Sequence, residues 1–139
     1  RYRYNAAGEL IALDDNGQCS QFRYDPAGRL IERQLPATEV CPAQTHRFRY
    51  DAAGRLIEAT TGRVSSGFRY DKAGQLLEET SRHALGFEHR LQHRYDRLGH
   101  RIATTLSDQR EVGFLYYGHG HLHQLLLDQV PLLDFERDA

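Results

Sequence analysis

A five-residue motif occurs six times in this 139-residue chain, each time as a tyrosine followed four positions later by a glycine. Successive motif tyrosines lie 20, 26, 20, 25 and 21 residues apart, so the differences in length fall between the motifs. A period of this size is typical of repeat proteins, in which each unit packs against its neighbours. The six motifs are Tyr4–Gly8, Tyr24–Gly28, Tyr50–Gly54, Tyr70–Gly74, Tyr95–Gly99 and Tyr116–Gly120.

The residues inside each motif predict a tight turn. Asp or Asn side chains accept hydrogen bonds from backbone N–H groups two residues further on, and glycine adopts positive φ at little cost. We therefore predict a type I turn with a glycine bulge, and we interpret the motif aspartates as turn residues, not catalysts. The aspartates are Asp25, Asp51, Asp71 and Asp96. The glycines expected to have positive φ are Gly28, Gly54, Gly74 and Gly99.

Short strand-like runs flank each turn, so each repeat is predicted to be a β-hairpin. Antiparallel neighbours step outward together from the turn, which predicts the cross-strand register. In this register, tyrosines and leucines share one face of the sheet, and arginines and isoleucines share the other. The predicted pairs in the second repeat are Asp25–Arg29, Tyr24–Leu30, Arg23–Ile31 and Phe22–Glu32.

The predicted fold is all-β, an array of about six antiparallel hairpins that form a curled, spiral sheet. Twelve strands exceed what an open twisted sheet commonly reaches without curling, so one face of the sheet is expected to need a partner surface. We expect residues 1–139 to be a fragment of a longer chain, because neither end has the polar capping repeat of an array. The repeats are centred on residues 4–10, 24–30, 50–56, 70–76, 95–102 and 116–122.

The charge pattern argues against a nucleic-acid surface, and the shortness of the apolar runs argues against membrane insertion. The net charge is −1, and the arginines are spread through the repeats and do not form one basic block. The longest run of leucines, Leu125–Leu127, is far too short to span a bilayer. The arginines are expected to pair across strands with glutamates, and an acidic guest is the less favoured alternative. The candidate glutamates are Glu32, Glu58, Glu78 and Glu79.

Two cysteines, Cys19 and Cys41, fall in segments that connect the repeats. They could form a disulfide in an oxidising compartment, but two cysteines without metal-type spacing are weak evidence for either role. The sequence therefore leaves the disulfide open.

The strongest candidate for chemistry is the histidine cluster His119, His121 and His123. Alternate residues of a strand point the same way, so two of these imidazoles could share a metal ion. The cluster coincides with the sixth turn, however, and no third ligand is fixed by spacing, so a variant turn is the favoured interpretation. The sequence contains no nucleophile elbow, phosphate loop or metalloprotease helix motif. No cofactor is predicted.

The motif Tyr-Asp-x-x-Gly-Arg-Leu resembles the YD repeat of the bacterial Rhs family. Its relatives include the C components of Tc toxin complexes, the wall-associated proteins and the teneurins. Residues Tyr24–Leu30 and Tyr50–Leu56 match the motif in full, whereas the fourth copy has Gln75 in place of arginine. Six copies in phase make the resemblance specific, and it extends over nearly the whole chain.

The resemblance implies that the repeats form part of a hollow β-shell around a C-terminal toxin domain. The implied partners are the rest of the same Rhs polypeptide, its toxin domain and proteins of a secretion apparatus, with type VI secretion as the candidate route. The implied localisation is secreted or delivered to target cells, and cytoplasmic before export. No enzymatic activity is expected of the segment itself.

Two classes of function therefore stay open at the level of sequence. The first is structural encapsulation of a toxin domain. The second is a module that binds carbohydrate or a cell-surface protein through exposed tyrosine and arginine rows, since large exposed apolar patches mark interaction sites. An enzyme is a distant third.

Overall fold

The computed structural model describes residues 1–118 and 120–135. These residues contain no helix and form thirteen strands, which lie in the sheet in the same order as in the chain. Every pairing given below is antiparallel, as expected for consecutive hairpins. The all-β class and the hairpin array are therefore confirmed.

Strand boundaries follow the first five motifs, in which the tyrosine ends one strand and the next strand begins two residues after the glycine, whereas β11 ends at Tyr117 and β12 begins one residue after Gly120. The strands are β1 (Tyr2–Tyr4), β2 (Leu10–Asp15), β3 (Gln18–Tyr24), β4 (Leu30–Leu35), β5 (Gln44–Tyr50), β6 (Leu56–Thr61), β7 (Val64–Tyr70), β8 (Leu76–His83), β9 (Glu88–Tyr95), β10 (Arg101–Thr105), β11 (Glu111–Tyr117), β12 (His121–Leu127) and β13 (Val130–Asp134).

The chain divides into two compact units. The first unit comprises Arg1–Ser66 and His83–Leu85. The second comprises Gly67–Arg82 and the described residues from Gly86 onward. Each unit contains several complete hairpins, so the repeat geometry can be described within each unit separately.

The predicted turns are present in the first five motifs, and the second motif shows their geometry. The Gly28 N–H donates to the Asp25 carbonyl oxygen at 2.9 Å, and the Asp25 N–H donates to the Arg29 carbonyl oxygen at 2.9 Å. The φ angle of Gly28 is +77°, a conformation that a residue with a β-carbon rarely adopts. Positive φ at the other three predicted glycines is also confirmed. Their φ values are 82° at Gly54, 89° at Gly74 and 90° at Gly99.

The predicted register is correct at the tyrosine and wrong beyond it. Tyr24 pairs with Leu30 as expected, but Arg23 pairs with Glu32, so Ile31 is left out of the ladder as a β-bulge. Phe22 consequently pairs with Arg33 and not with Glu32. A bulge places two residues opposite one and shifts all later pairs. The same position, three residues after the motif glycine, is skipped in four other hairpins, at Ile11, Ile57, Ile102 and His123.

The bulge changes which residues share a face. Tyrosines and leucines do lie on one face, here called the aromatic face, which also carries Phe22 and Phe48, two residues before their motif tyrosines. The arginines before the tyrosines lie on the opposite, charged face, where their neighbours are glutamates and not isoleucines. Arg23 pairs with Glu32, and Arg49 pairs with Glu58.

A thirteenth strand, β13, adds to the twelve that six motifs predict. It follows β12 through a two-residue turn at Asp128 and Gln129, whose φ angles are +49° and +68°. Leu127 pairs with Val130 across this turn. Positive φ at two non-glycine residues is uncommon, so the sequence does not predict a turn at these positions.

The sheet has very little buried interior. Among the described residues the buried apolar side chains are Ala12 and Ala103, and the buried polar ones are His46, His93 and Thr104. The motif tyrosines from Tyr24 onward are half-buried. One sheet layer without a second layer leaves both faces largely uncovered.

Among residues 1–118 and 120–135, no helix has the length and apolar composition required to cross a membrane.

Candidate functional site

The motif aspartate organises its own turn through both carboxylate oxygens. Asp25 Oδ1 accepts hydrogen bonds from the backbone N–H groups of Ala27 and Arg29, at 2.9 and 3.0 Å. Its Oδ2 accepts from Arg29 Nε at 2.7 Å. The carboxylate therefore ties the middle of the turn to the residue that follows the glycine. The same set of bonds recurs at Asp51 and at Asp96, while Asp71 Oδ1 accepts from the Gln75 N–H at 2.8 Å.

These hydrogen bonds hold the turn carboxylates in their charged form. The Arg29 guanidinium lowers the pKa of Asp25, and the backbone N–H of Arg55 has the same effect on the pKa of Asp51. Burial is the largest influence on the pKa of Asp96, and it acts to raise that pKa. The hydrogen bonds that Asp96 accepts from His100 and Leu98 act in the opposite direction, and together they leave the pKa lowered.

In the first turn, an asparagine and a glutamate replace the aspartate and the arginine of the second motif. Asn5 Oδ1 accepts from the Ala7 and Glu9 N–H groups, as the aspartates do, at 3.0 and 2.9 Å. The Asn5 amide nitrogen then donates to Glu9 Oε2 at 2.6 Å. An amide with a carboxylate thus replaces a carboxylate with a guanidinium. The residue after the glycine complements the turn residue in both cases.

The motif tyrosine joins its hairpin to the hairpin before it. The Tyr50 hydroxyl donates to the carbonyl oxygen of Leu30, at 2.9 Å, and Leu30 lies beside the bulge of the preceding hairpin. Because a bulge interrupts the ladder, it leaves backbone groups that need other partners. The equivalent bonds are Tyr24 to Leu10, Tyr95 to Leu76 and Tyr116 to Arg101, at 3.0, 2.9 and 2.9 Å.

The residue after the glycine makes a second connection, to the following turn. The Arg29 guanidinium carbon lies 5.0 Å from the centre of the Tyr50 ring, and Arg29 Nη1 donates to the Asp51 carbonyl oxygen at 3.3 Å. His100 occupies the same place in the fifth repeat, where its ring stacks on Tyr116 with centroids 5.1 Å apart.

The motif glycine leaves room for this second connection. A β-carbon at Gly54 would stand 3.5 Å from Arg29 Nη1, and one at Gly120 would stand 2.5 Å from His100 Nε2. Positive φ favours glycine at both positions, and at Gly120 the close approach of His100 excludes a β-carbon as well. A β-carbon would also stand 3.1 Å from Glu9 Oε1 at Gly28 and 3.3 Å from Gln75 Nε2 at Gly99.

We call this row of linked turns the turn stack. It consists, within each unit, of the motif tyrosine, the motif aspartate or asparagine, the glycine and the residue after the glycine. The side chains of Arg29 and His100 reach the next turn, and carbonyl oxygens beside the bulges accept hydrogen bonds from the tyrosine hydroxyls of the next hairpins. The arrangement fixes the position of each hairpin relative to its neighbour, and the sequence alone did not reveal these contacts between turns.

The charged face carries a second row of contacts. Arg23 approaches Glu32 at 3.5 Å and Arg49 approaches Glu58 at 2.6 Å. The arginine side chains are 67% and 71% exposed, so these pairs contribute little to stability. The expected cross-strand pairing is present at these two glutamates and at Glu78, which lies 3.4 Å from Arg69.

Glu79 has a different partner from the one predicted. Its Oε1 lies 3.0 Å from Nε2 of His93, and the other ring nitrogen of His93 lies 3.0 Å from the Thr104 hydroxyl. His93 takes the sequence position that Phe22 and Phe48 hold in their repeats, and it is a buried polar group with hydrogen-bond partners at both ring nitrogens.

The predicted histidine cluster is only partly within the described residues, because His119 lies outside them. The rings of His121 and His123 both pack against Tyr117, with centroids 5.7 and 5.6 Å apart. His123 is the bulge residue of its hairpin, so simple strand alternation does not relate it to His121. In the described part of the chain no three His, Cys, Asp or Glu side chains form a group that could hold a metal ion.

The two cysteines are free thiols that line different cavities. Cys19 lines a cavity with Arg1 and Asp14, whereas Cys41 lines one with Leu13 and Pro42.

Three comparisons place this geometry among known proteins. The family model of the teneurin YD-shell matches residues 1–125. The toxin protein Tse5 of Pseudomonas aeruginosa strain PAO1 is 44% identical over 115 residues, which cover 83% of this chain and 9% of Tse5. The chain therefore spans less than a tenth of the length of this relative.

Solved structures show the same fold. Crystal structures described as TcdB2-TccC3-TEV and TcdB2-TccC3 match with TM-scores of 0.76 and 0.77 at 21% identity. Each match covers 89% of this chain and 7% of the solved chain. The family match over most of the chain, the repeated turn geometry and the shared fold lead to one assignment: this chain belongs to the YD-shell family of Rhs and teneurin-type YD-repeat proteins.

Proposed function

We propose that this segment is a structural module of a secreted polymorphic toxin, in which it forms part of an Rhs shell that encloses a toxin domain. Its proposed role is to exclude water and proteases from the enclosed chain. The segment itself carries out no catalysis, and it requires no cofactor.

The observation that supports this proposal most strongly is the exposed surface. The chain leaves 10296 Å² accessible at a mass of 16.0 kDa. A self-contained folded protein of this mass exposes about 7,400 Å². The difference, roughly 2,900 Å², is in the range that permanent subunit interfaces bury. A sheet with so much uncovered surface is suited to be one wall of a larger structure.

The turn stack supports the same proposal. A wall must keep neighbouring hairpins in register without a second layer of structure behind them. The tyrosine hydroxyl bonds, and the stacked side chains that follow the motif glycines, supply contacts between hairpins at their turns.

The names of the relatives support the toxin context. Tse5 is a toxin protein, and TccC3 is a component of the solved TcdB2-TccC3 structures. By analogy, the partners proposed for this segment are the rest of its own polypeptide, a C-terminal toxin domain and proteins of a secretion apparatus. We also propose export or delivery to target cells, by type VI secretion, after a cytoplasmic stage.

The alternative role in binding carbohydrate or a cell surface would use an exposed row of tyrosines. The motif tyrosines Tyr24, Tyr50 and Tyr95 are half-buried instead, and their hydroxyls are bonded to backbone carbonyls. These rings are therefore engaged in joining hairpins, which favours the structural role.

Protease protection in the full polypeptide tests encapsulation. We expect the domain that follows the repeats to resist trypsin in the wild type and to be cleaved when the turn stack is weakened by Tyr50→Ala with Tyr95→Ala. The matched control, Arg49→Ala with Arg94→Ala on the charged face, should keep the protection. Equal cleavage of that domain in the wild-type polypeptide and when expressed alone would rule encapsulation out.

A further inference from the structure

A directional chain of hydrogen bonds crosses the aromatic face of the first unit and ends in the loop between β4 and β5. Arg33 Nη2 lies 3.1 Å from His46 Nδ1, and His46 Nε2 lies 3.0 Å from Gln44 Oε1. Gln44 Nε2 in turn donates to Cys41 Sγ. Cys41 belongs to residues 36–43, here called the insertion loop.

The donors in this series of hydrogen bonds determine which ring nitrogen of His46 carries the proton. A guanidinium can only donate, so Nδ1 must be an acceptor and the ring proton must sit on Nε2. That proton then points at the Gln44 carbonyl oxygen, which turns the amide nitrogen of Gln44 towards Cys41. The network is complete only while the imidazole is neutral.

Protonation of His46 would remove its bond from Arg33, whereas Nε2–H could still donate to Gln44, so the network opens only when the imidazolium moves away from Arg33. The new Nδ1–H would face the Arg33 guanidinium and could no longer accept from it. His46 is only 8% exposed, so water cannot screen the two cations well. Arg33 is already short of partners, because its Nε is buried and makes no hydrogen bond.

The surrounding strands offer no compensating charge. On β4 the residue opposite His46 is Arg33, and on β6 it is the uncharged Thr61. Within the described residues neither Arg33 nor His46 forms a salt bridge with a carboxylate. Burial and the positive charge of Arg33 accordingly lower the pKa of His46.

The insertion loop forms one wall of a cavity of about 360 Å³. Leu13, Leu35 and Pro36 supply apolar lining, and Asp15 of β2 is the charged residue among those that line it. Within the loop, Thr38 and Cys41 bond to each other through the Thr38 N–H and the Cys41 carbonyl oxygen at 2.7 Å. Gln44 joins this closed loop to β5, because it both bonds Cys41 and lines the cavity.

We propose that His46 is an acid-sensitive latch, which holds the insertion loop against the sheet while neutral and opens the cavity when it is protonated. The closed state binds fewer protons than the open state. Closure is therefore complete above the ordinary imidazole pKa of about 6.5 and is lost as pH falls below it. This inference concerns the first unit alone and does not depend on encapsulation.

Hydrogen–deuterium exchange of the full polypeptide tests the latch. Exchange at pH 7.5, 6.0 and 5.0 is corrected for the intrinsic chemical rate, and protection is compared between residues 36–45 and residues 88–105. We expect protection of residues 36–45 to fall with pH, by at most about tenfold per pH unit for one coupled proton, while residues 88–105 stay unchanged. In His46→Gln, protection of residues 36–45 should not depend on pH.

The matched control is His93→Gln, which removes a buried histidine held by Glu79 and Thr104 and should keep the wild-type response at residues 36–45. If His46→Gln does not fold, Arg33→Gln replaces it, and its response should be weaker because protonated His46 no longer faces a cation. Labelling of Cys41 relative to Cys19 by dithiodipyridine, which reacts in acid, gives a second readout that should rise as pH falls. Protection that is the same at every pH, or that falls equally in the wild type and the folded His46 or Arg33 variant, would overturn the latch.

Discussion

At the scale of single residues, each position of the motif has a physical task that depends on its neighbours in the adjacent repeat. The tyrosine is needed for its hydroxyl as much as for its ring, because the hydroxyl reaches the Leu30 carbonyl oxygen in one case and the Leu76 carbonyl oxygen in another. The glycine is needed for positive φ and, at Gly120, because a β-carbon would collide with the His100 ring of the preceding turn. The motif is thus a set of contacts between hairpins as well as a turn sequence.

Removing one hydroxyl should separate the two contributions of the tyrosine. We expect Tyr50→Phe to lower the free energy of unfolding by about 1 kcal/mol, because the Leu30 carbonyl oxygen loses its donor. Tyr50→Ala should lower it by about 2 kcal/mol, since the half-buried ring is lost too. Chemical denaturation of the full polypeptide measures both. The control Tyr2→Phe, at a ring that is 64% exposed, should change stability by less than about 0.5 kcal/mol. Equal effects of Tyr50→Phe and Tyr2→Phe would contradict the role of the hydroxyl.

Two glycines with similar φ should differ in their tolerance of a methyl group. Gly8 and Gly120 have φ of +81° and +93°, but a β-carbon at Gly8 has nothing within 4 Å whereas one at Gly120 would stand 2.5 Å from His100 Nε2. We expect Gly8→Ala to cost about 1 kcal/mol through backbone strain alone. Gly120→Ala should cost more, because the stacked His100 must move. Thermal unfolding of the two variants measures the difference, and a smaller loss in Gly120→Ala would contradict the stacking of turns.

The turn carboxylates should make the protein sensitive to strong acid. Asp51 has a folded-state pKa below its ordinary value, so its stabilising contribution is complete above pH about 4 and is lost as pH falls through the lower folded value. Asn5 shows that an amide can fill the same turn position, so Asp51→Asn keeps the acceptor for the backbone N–H groups and removes the charge together with the Arg55 Nε bond. We expect the variant to lose less stability than the wild type between pH 5 and pH 2, as measured by denaturant midpoints. Parallel curves for the two proteins would show that the Asp51 charge contributes nothing.

At the scale of elements, the hairpins are joined by two different rows of contacts. One row is the turn stack, where ring stacking, hydrogen bonds and close packing combine at one end of each hairpin. The other is the charged face, where exposed arginines and glutamates pair in water. The physical chemistry of the two rows differs, so the turn stack should dominate the cohesion between hairpins.

Two arginines test this difference in importance. Arg29 contacts Asp25, the Tyr50 ring and the Asp51 carbonyl oxygen, whereas Arg49 contacts Glu58 and is 71% exposed. We expect Arg29→Ala to lower the free energy of unfolding by about 1.5 kcal/mol and Arg49→Ala by about 0.5 kcal/mol or less. Urea denaturation of the two variants side by side measures both values. An Arg49 effect equal to or larger than the Arg29 effect would reverse the ranking of the two rows.

Much of each hairpin could be predicted because local sequence dictates local geometry. Turn residues with known preferences place the glycines and the first cross-strand pair, as at Tyr24 and Leu30. The bulge at Ile31 could not be predicted, because no glycine marks it and an isoleucine fits the ladder equally well. The contacts between turns depend on the packing of residues some 20 positions apart, such as Arg29 and Tyr50, and so require the three-dimensional structure.

At the scale of the whole molecule, the main physical fact is how little apolar surface the described residues bury. The buried apolar side chains among the described residues are two alanines, and the accessible area of 10296 Å² exceeds that of a self-contained protein by roughly 2,900 Å². β13 adds further exposed apolar surface, with Val130 at 64% and Leu132 at 56%. Such a sheet is stabilised when other parts of a larger structure cover these surfaces.

Cryo-electron microscopy of the full polypeptide tests the central claim, that this segment is a wall of an enclosing shell. We predict that β1–β13 lie within a closed layer of strands, with further strands beside β1 and β13 and with density for an enclosed chain on one side of the sheet. A map in which both faces of the segment meet bulk solvent, with no chain enclosed, would contradict the account.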